Sequence, residues 1–182
     1  MTGIELIILL IVIAALYTFI TYNELVRYRE AIKNAWAQID VQLKRRADLI
    51  PNLVNAVKGY MKHERELLEK ITELRSKIIS GDPKERMEAN DMLTGALKSL
   101  FAVAENYPDL KANQNVLQLQ EELTTTENKI AYARQAYNDS AYLYNTMIKQ
   151  IPAMFVAKLF GFKEVPYLEI KEEERKVPKV EL

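Results

Sequence analysis

The chain has 182 residues, with 25 lysines and arginines against 25 aspartates and glutamates, and it contains no cysteine. The balanced charge gives no general attraction to nucleic acid, and the lack of cysteine excludes disulfides, thiolate catalysis and cysteine-ligated metal sites. Roughly 140 residues remain between an apolar N-terminal segment and a charged C-terminal one, which is enough for one domain with a hydrophobic core.

The N-terminal segment at residues 4–20 is apolar except for Glu5 and Thr18. At about 1.5 Å per residue, a helix over residues 4–22 matches the thickness of a bilayer's hydrocarbon core. A cleaved signal peptide needs a basic start and small residues at its cleavage site, and a buried core helix is usually shorter. We therefore predict an uncleaved transmembrane anchor over residues 1–23, which contacts the lipid bilayer through residues 4–22.

The orientation of this span follows from its flanks. Arg27, Arg29 and Lys33 follow the apolar segment, whereas no lysine or arginine precedes it. By the positive-inside rule, the N-terminus lies outside and residues 24–182 lie in the cytoplasm. The sequence therefore predicts a single-pass protein of the cell membrane.

After the span the hydrophobic pattern is helical throughout, and no window alternates like a strand. We predict a first helix that ends near Asp48 and further helices over residues 51–79, 83–107 and 108–150. Pro51 is placed at the start of a new helix because proline disfavours helical structure at the preceding residue. The alternative is a kink at Pro51 within one very long helix, which leaves three helices.

A boundary between the second and third helices is predicted at Ser80-Gly81-Asp82-Pro83. Gly81 suits the left-handed position after a helix, Asp82 suits the N-cap and Pro83 suits the first turn of the next helix. Glu85 follows the cap by three residues, as in a capping box. The second and third helices are therefore predicted to meet at a tight turn.

The fourth predicted helix carries an apolar seven-residue repeat, which is typical of a bundle seam. Its members are Val116, Leu123, Ile130, Tyr137, Tyr144 and Ile151. Short connections between long helices favour alternating directions. The predicted fold is all-α, with an N-terminal single transmembrane helix followed by an antiparallel up-down four-helix bundle with long helices over residues 24–150.

Several phrases of the chain resemble signatures of the LemA family. They are Tyr22-Asn23-Glu24-Leu25-Val26, the run from Ala35-Trp36 to Arg46, Asp48-Leu49-Ile50-Pro51-Asn52-Leu53-Val54, Lys58-Gly59-Tyr60, His63-Glu64, the run from Glu105-Asn106-Tyr107-Pro108 to Asn113, Thr126-Glu127-Asn128, Ala136-Tyr137-Asn138 and Tyr144-Asn145. The resemblance covers nearly the whole chain up to Gly161-Phe162. It implies a bacterial or archaeal membrane-anchored helical bundle. It does not indicate an activity, and it offers no catalytic residues to carry over.

No group of residues in the sequence points to a reaction. His63 is the only histidine, and position 60 is a tyrosine, so the Glu-x-x-His motif of di-iron bundles is absent. No glycine-flanked serine nucleophile and no phosphate-binding loop occurs. Lys44-Arg45-Arg46 is interpreted as a solvated helix end that complements the helix dipole. We predict no catalytic, cofactor-binding or metal-binding residue, no cofactor and no nucleic-acid partner.

Four polar residues are candidates for a structural role. Arg29 and Glu64 interrupt apolar stripes, and Asn138 and Asn145 lie beside the seam of the fourth predicted helix. Two interpretations stay open for Arg29 and Glu64. Either they fix the helix register through buried partners, or the stripe opens to water at these points.

An apolar juxtamembrane segment is predicted over residues 151–163. Its candidate membrane contacts are Met154, Phe155, Leu159, Phe160 and Phe162. In an up-down bundle the last helix returns toward the bilayer, so this segment either lies in the membrane interface or packs on the base of the bundle. Residues 164–182 are predicted to be a flexible charged tail.

These features favour a non-enzymatic scaffold or adaptor at the cytoplasmic face of the membrane, with an unidentified membrane or cytoplasmic protein partner. A different hypothesis is a ligand-binding sensor or enzyme with a site around Arg29, Glu64, Tyr137 and Asn138. A third is a homo-oligomeric clustering protein. The sequence leaves the oligomeric state open.

Overall fold

The computed structural model describes residues 3–168, and every regular element within that range is helical. The elements are α1 (Gly3–Val57), α2 (Arg65–Ser80), α3 (Pro83–Ala104), α4 (Pro108–Lys111), α5 (Gln114–Lys149) and α6 (Ala153–Leu159). The all-α prediction is confirmed. The four long helices that the sequence predicts correspond to α1, α2, α3 and α5.

The chain folds as two compact units. The first contains residues up to Trp36 and residues from Arg134 onward, and the second contains residues 37–133. In the second unit, parts of α1 and α5 pack with α2 and α3 around a buried aliphatic core. The core includes Leu43, Ile50, Leu53, Ile71, Leu74, Ile78, Leu93, Leu100, Leu123 and Ile130. The four-helix packing therefore belongs to the second unit, whereas the first unit combines α1 and α5 with α6.

The break predicted near Asp48 is wrong, because α1 continues through Pro51 to Val57. A proline within a helix has no N–H group to bond the carbonyl four residues earlier, which here is that of Ala47. Arg75 of α2 supplies the missing donor, since its Nε lies 2.9 Å from the Ala47 oxygen. The carbonyl that Pro51 leaves unpaired thus keeps a hydrogen bond, and the helix does not have to end there.

The turn between α1 and α2 lies at residues 58–64, so the second helix starts later than the predicted position 51. The chain leaves α1 at Lys58-Gly59-Tyr60, where the Tyr60 and Met61 N–H groups donate to the Val57 carbonyl at 3.0 Å each. Met61 is buried and anchors this turn in the core of the second unit.

The turn between α2 and α3 contains the predicted cap. Asp82 Oδ1 accepts bonds from the N–H groups of Lys84 and Glu85 at 2.9 Å each, and Glu85 Oε2 accepts from the Asp82 N–H at 3.1 Å. The prediction of a left-handed Gly81 is wrong, because its φ is −72°. Glycine is required there for space, since a Cβ would lie 2.7 Å from the Lys77 carbonyl oxygen.

The helix predicted to run from Pro108 to residue 150 is interrupted. The short helix α4 ends at Lys111, and α5 begins after Asn113, whose Oδ1 accepts a bond from the Asn115 N–H at 3.0 Å. Asn113 therefore acts as an N-cap that restarts the helix. Along α5 the seven-residue repeat is buried from Val116 to Tyr144, as predicted.

Within residues 3–168, α1 carries the one segment that is long and apolar enough to cross a membrane, and none of that segment is buried inside the protein. Exposed aliphatic side chains run along it from Ile4 to Ile20. An apolar surface of this length is unfavourable in water and favourable in lipid.

Candidate functional site

An aromatic cluster joins α6 to the end of the apolar span. The ring of Tyr22 in α1 lies 4.8 Å from the ring of Phe160 and 5.7 Å from that of Phe162. The Phe162 ring also lies 6.5 Å from Tyr144 of α5. Tilted and edge-on ring contacts at these distances are favourable. The cluster therefore fixes α6 beside the point where α1 leaves the apolar span.

The helix α6 buries one face and exposes the other. Ala153, Val156 and Ala157 are buried against the first unit, whereas Phe155 and Leu159 are 62% and 74% exposed. Among the other predicted membrane contacts, Phe160 is exposed, and Met154 and Phe162 are half-buried. The structure thus divides the predicted set into outward-facing residues and residues that pack inward.

Asn138 and Asn145 bind the main chain of the segment that follows α6. Asn145 Nδ2 donates to the Val165 carbonyl at 2.8 Å, and its Oδ1 accepts from the Val165 N–H at 2.9 Å. Asn138 makes the same two bonds with Leu168, at 2.8 Å each. We call these two residues the asparagine pair. Each side-chain amide bonds both the backbone N–H and the backbone carbonyl of one residue, as a neighbouring strand does in an antiparallel sheet.

The positions of the asparagine pair set the direction and the extension of the bound segment. Asn138, which comes first along α5, binds the later residue Leu168, and Asn145 binds the earlier residue Val165. Seven residues along a helix cover about 10.5 Å, and three residues of extended chain cover about 10 Å. Residues 165–168 therefore run extended and antiparallel to α5. The Tyr137 hydroxyl donates to the Pro166 carbonyl at 3.2 Å and adds a third attachment.

The predicted boundaries of the C-terminal region change accordingly. Glu164 pairs with Lys149, and Val165, Pro166 and Leu168 are hydrogen-bonded to α5, so this part of the predicted tail is attached to the helix. Residues 169–182 of the predicted tail lie outside the described residues. Both asparagines are predicted from the sequence as polar contacts. The prediction does not identify their partner, which is the main chain of the segment after α6.

Two buried tyrosines lie beside the asparagine pair. Burial raises the pKa of Tyr137 above its usual value. Burial also raises the pKa of Tyr144, although the charge of Arg29 and a hydrogen bond from the Lys163 backbone oppose the shift. Both phenols therefore stay neutral through the physiological range and act as hydrogen-bonding and packing groups.

A second polar site lies in the other unit, around Arg46. This side chain is 1% exposed, and its Nη1 donates to Asn90 Oδ1 at 2.7 Å and to Thr94 Oγ1 at 3.0 Å. Its Nη2 lies 3.5 Å from Glu127 Oε2. Burial lowers the pKa of the guanidinium, and the carboxylates of Glu127 and Asp91 oppose that effect. The site links α1, α3 and α5.

The interpretation of Lys44-Arg45-Arg46 as a solvated helix end is wrong for Arg46. That interpretation depends on a helix end near Asp48, whereas α1 continues past that point. Arg46 follows Leu43 by three residues and precedes Ile50 by four, so it lies on the buried apolar face of α1. That spacing is the sequence signal that could have identified it. The other two members of the run, Lys44 and Arg45, are exposed.

Arg46 also lies at the wall of a cleft of about 530 Å³ in the second unit. The cleft is partly open to solvent, and most of its lining comes from α3, α4 and α5. Half of the lining residues are apolar, and the polar half includes Thr94 and Glu127. One helical turn before Arg46, Gln42 has a buried Oε1, and neither this oxygen nor the Arg46 Nε has a hydrogen-bond partner among residues 3–168. The cleft therefore combines apolar side chains with a buried cation.

The remaining predicted positions are divided between the two units. Arg29 is exposed, so the hypothesis that it fixes the helix register through a buried partner does not fit its position, and the stripe opens to water there. Glu64 is half-buried just before α2 and belongs to the second unit, whereas Tyr137 and Asn138 belong to the first. In the described part of the chain, no cluster of three or more histidine or acidic residues could hold a metal ion.

Comparison with known proteins identifies the family. The model of the LemA family matches residues 35–182. Protein LemA of Metamycoplasma hominis is 34% identical over 158 residues, which cover 84% of this chain and 71% of that protein. Magnetosome protein MamQ of Magnetospirillum gryphiswaldense is 25% identical over 195 residues, covering 90% of this chain and 72% of that protein. Magnetosome protein MamQ 2 of Paramagnetospirillum magneticum is 24% identical over 177 residues, covering 82% and 65%.

The match covers far more than half of the chain and includes the asparagine pair, Arg46 and the segment after α6. Together with the unburied apolar part of α1, it describes a membrane-associated helical protein. The chain belongs to the LemA family.

Proposed function

We propose that this protein is a single-pass, membrane-anchored scaffold or adaptor whose helical units lie on the cytoplasmic side. One observation carries the proposal: the apolar span continues within α1, without a loop, into the packed part of the first unit. Leu25 and Ile32 are already buried there, only a few residues beyond the span. The folded chain therefore starts at the membrane surface, as a scaffold for a membrane-located assembly requires.

The charge distribution supports the orientation. Arg27 and Arg29 are exposed just beyond the span, and Lys33 follows one turn later. Residues 1–3, just before the span, contain no basic residue. Basic residues close to a span favour its cytoplasmic end.

Cysteine labelling in intact cells tests the orientation, because the natural chain has no cysteine. We expect Gly3→Cys to react with a membrane-impermeant maleimide in intact cells, and Lys84→Cys to react only after the cells are permeabilised. Lys84 is a suitable reporter because its side chain is 87% exposed. The opposite labelling pattern would show that the helical units lie outside.

Photocrosslinking tests the scaffold role. A photoreactive phenylalanine analogue would replace Ile79, Met92 or Tyr132, which are exposed positions on three different helices. A scaffold should give a protein adduct of defined mass from one of these faces and not from all three. The same analogue at Ile4 serves as the matched control, because that position lies in the apolar span. Failure to obtain a protein adduct from any of the three faces would contradict the proposal.

The cleft beside Arg46 favours a second candidate function, that of a ligand-binding sensor. A buried cation next to apolar side chains suits a small molecule with a carboxylate or phosphate and a hydrophobic part. The test is a thermal-shift series on the full chain with such compounds. A saturable shift that Thr94→Val abolishes would favour the sensor, and the absence of any shift would favour the scaffold.

A further inference from the structure

We infer that α6 is a second membrane contact, in which an exposed apolar face inserts into the lipid interface beside the transmembrane span. The face consists of Ile151, Phe155, Leu159 and Phe160, and we call it the α6 face. The inference rests on the membrane anchoring of α1 and does not depend on which side of the membrane the helical units occupy. It adds a lipid-binding surface to the proposed scaffold.

The exposure of these residues is the first observation. Ile151 is 75% exposed, Phe155 62%, Leu159 74% and Phe160 50%. Phe155 and Leu159 are four residues apart and so lie on the same side of the helix. A contiguous group of large apolar side chains on a surface usually marks an interaction site.

The orientation of α6 is fixed by its opposite side. Ala153, Val156 and Ala157 are buried against the first unit, so the α6 face cannot turn inward without exposing them. Phe162 follows the helix and packs on Tyr22 and Tyr144. The α6 face therefore points outward as a consequence of the packing behind it.

The position of the α6 face selects lipid as its partner. The Phe160 ring lies 4.8 Å from the ring of Tyr22, which follows the exposed apolar residues Phe19 and Ile20 of the span. The first charged residue after the span, Glu24, comes two positions later. Tyr22 thus lies at the boundary between hydrocarbon and water, where aromatic residues are enriched. The α6 face is continuous with a surface of α1 that already contacts lipid.

The charges near α6 fit a phospholipid surface. Lys158 and Lys163 are exposed, and no acidic residue occurs between Gln150 and Lys163. Long lysine side chains can place their ammonium groups among headgroups while the neighbouring apolar side chains enter the interface. Anionic lipids should therefore strengthen the contact.

Site-directed spin labelling of the full chain in vesicles tests the inference. Single-cysteine variants Phe155→Cys and Leu159→Cys would carry a nitroxide in vesicles of phosphatidylcholine and phosphatidylglycerol. Accessibility to oxygen, which concentrates in lipid, is compared with accessibility to a water-soluble nickel chelate. We expect an oxygen-to-nickel ratio several-fold higher than at Tyr132→Cys, an equally exposed position on α5 in the second unit.

An Ile13→Cys label in the span separates failure of this inference from failure of the anchoring. If Ile13 behaves as lipid-embedded while Phe155 and Leu159 behave like Tyr132, the inference is overturned and the anchoring stands. If Ile13 also behaves as water-exposed, both fail. Protection of positions 155 and 159 from both reagents would indicate a protein occupant, such as a second copy of the chain, and would likewise overturn the lipid contact.

Both α6 positions are exposed, so their substitution leaves no cavity in the core. Thermal unfolding that matches the natural chain would confirm that the labelled variants are folded. A smaller oxygen-to-nickel ratio in vesicles of phosphatidylcholine alone would support the contribution of Lys158 and Lys163. An unchanged ratio would overturn that contribution while leaving the apolar contact in place.

Discussion

One group of polar side chains in each unit of this protein lies at least half-buried, and the two groups are satisfied in different ways. In the first unit, Asn138 and Asn145 are neutral, and each bonds the N–H and the carbonyl of one backbone residue. In the second unit, Arg46 is a buried charge that depends on three other side chains. A neutral amide with its bonds made adds stability, whereas a buried charge is costly even when paired. The asparagine pair holds a chain segment in place, and Arg46 ties three helices together.

The largest expected effect comes from removing the buried charge. Arg46→Ala leaves Asn90, Thr94 and Glu127 without their partner and opens a cavity, so it should lower the free energy of unfolding by about 3–5 kcal/mol. Denaturant unfolding of the full chain in detergent measures the change. Arg45→Ala is the matched control, because Arg45 is exposed, and it should stay within about 0.5 kcal/mol of the natural chain. Equal effects of the two substitutions would contradict the comparison.

Arg46→Met separates the charge from the volume. Methionine fills much of the same space without a charge, so it avoids the cavity that alanine opens, although both variants leave Asn90, Thr94 and Glu127 without Arg46. We expect Arg46→Met to be clearly more stable than Arg46→Ala in the same unfolding experiment. A methionine variant as unstable as the alanine variant would show that the hydrogen bonds, and not the filled volume, hold the second unit together.

The asparagine pair should give an intermediate effect. Asn145→Ala removes two hydrogen bonds and leaves the Val165 N–H and carbonyl without their partners, which should lower stability by about 1–3 kcal/mol. Hydrogen exchange at the Val165 amide should accelerate markedly. Asn128→Ala, at an exposed position on the same helix, is the control. Unchanged protection of Val165 would show that the segment is held by other contacts.

Asp82 sharpens the comparison because it also bonds two backbone groups, but at an exposed position. Asp82→Ala should lower stability by about 1 kcal/mol, a typical value for loss of an N-cap. The difference between Asp82→Ala and Asn145→Ala in denaturant unfolding therefore compares two side-chain bonds to the backbone at an exposed position with two at a buried position. A larger effect at Asp82 would reverse the expected ranking.

The smallest expected effect is a loss of stability at alkaline pH that comes from two tyrosines of the first unit. Burial raises the pKa of Tyr137 and Tyr144 above the unfolded value of 10.0, so the folded state holds these protons more tightly than the unfolded state. Their contribution to stability is complete below pH 10 and is lost as the pH rises through the folded-state pKa. In thermal unfolding from about pH 8 to about pH 11, the double variant Tyr137→Phe and Tyr144→Phe should lose less stability than the natural chain. An identical pH profile would contradict this assignment.

Much of the fold can be predicted from the sequence because its signals are local. The uninterrupted apolar run from Leu6 to Leu16 predicts the span, and the repeat from Val116 to Tyr144 predicts the buried face of α5. The cap at Asp82 is also predictable, since its capping partner Glu85 is three residues away. In each case, the information lies within a few turns of chain.

The sequence-based predictions fail where a contact with a residue far away in the sequence overrides a local preference. Pro51 by itself favours a break, and only Arg75 on another helix removes the reason for one. Arg46 by itself resembles a solvated charge, and only its partners on two other helices, Asn90, Thr94 and Glu127, make its burial acceptable. The asparagine pair is predictable as two polar positions, but its partners Val165 and Leu168 lie in a segment without any periodic pattern.

The hydrogen bond from Arg75 to the Ala47 carbonyl also has an evolutionary consequence. It makes residues 51 and 75 an epistatic pair: loss of the arginine should be harmful in a chain with Pro51 and nearly neutral once that proline is replaced by alanine, because the backbone then supplies the bond itself. Among diverging descendants of this chain, a proline at position 51 should therefore be retained only alongside a side-chain donor at position 75.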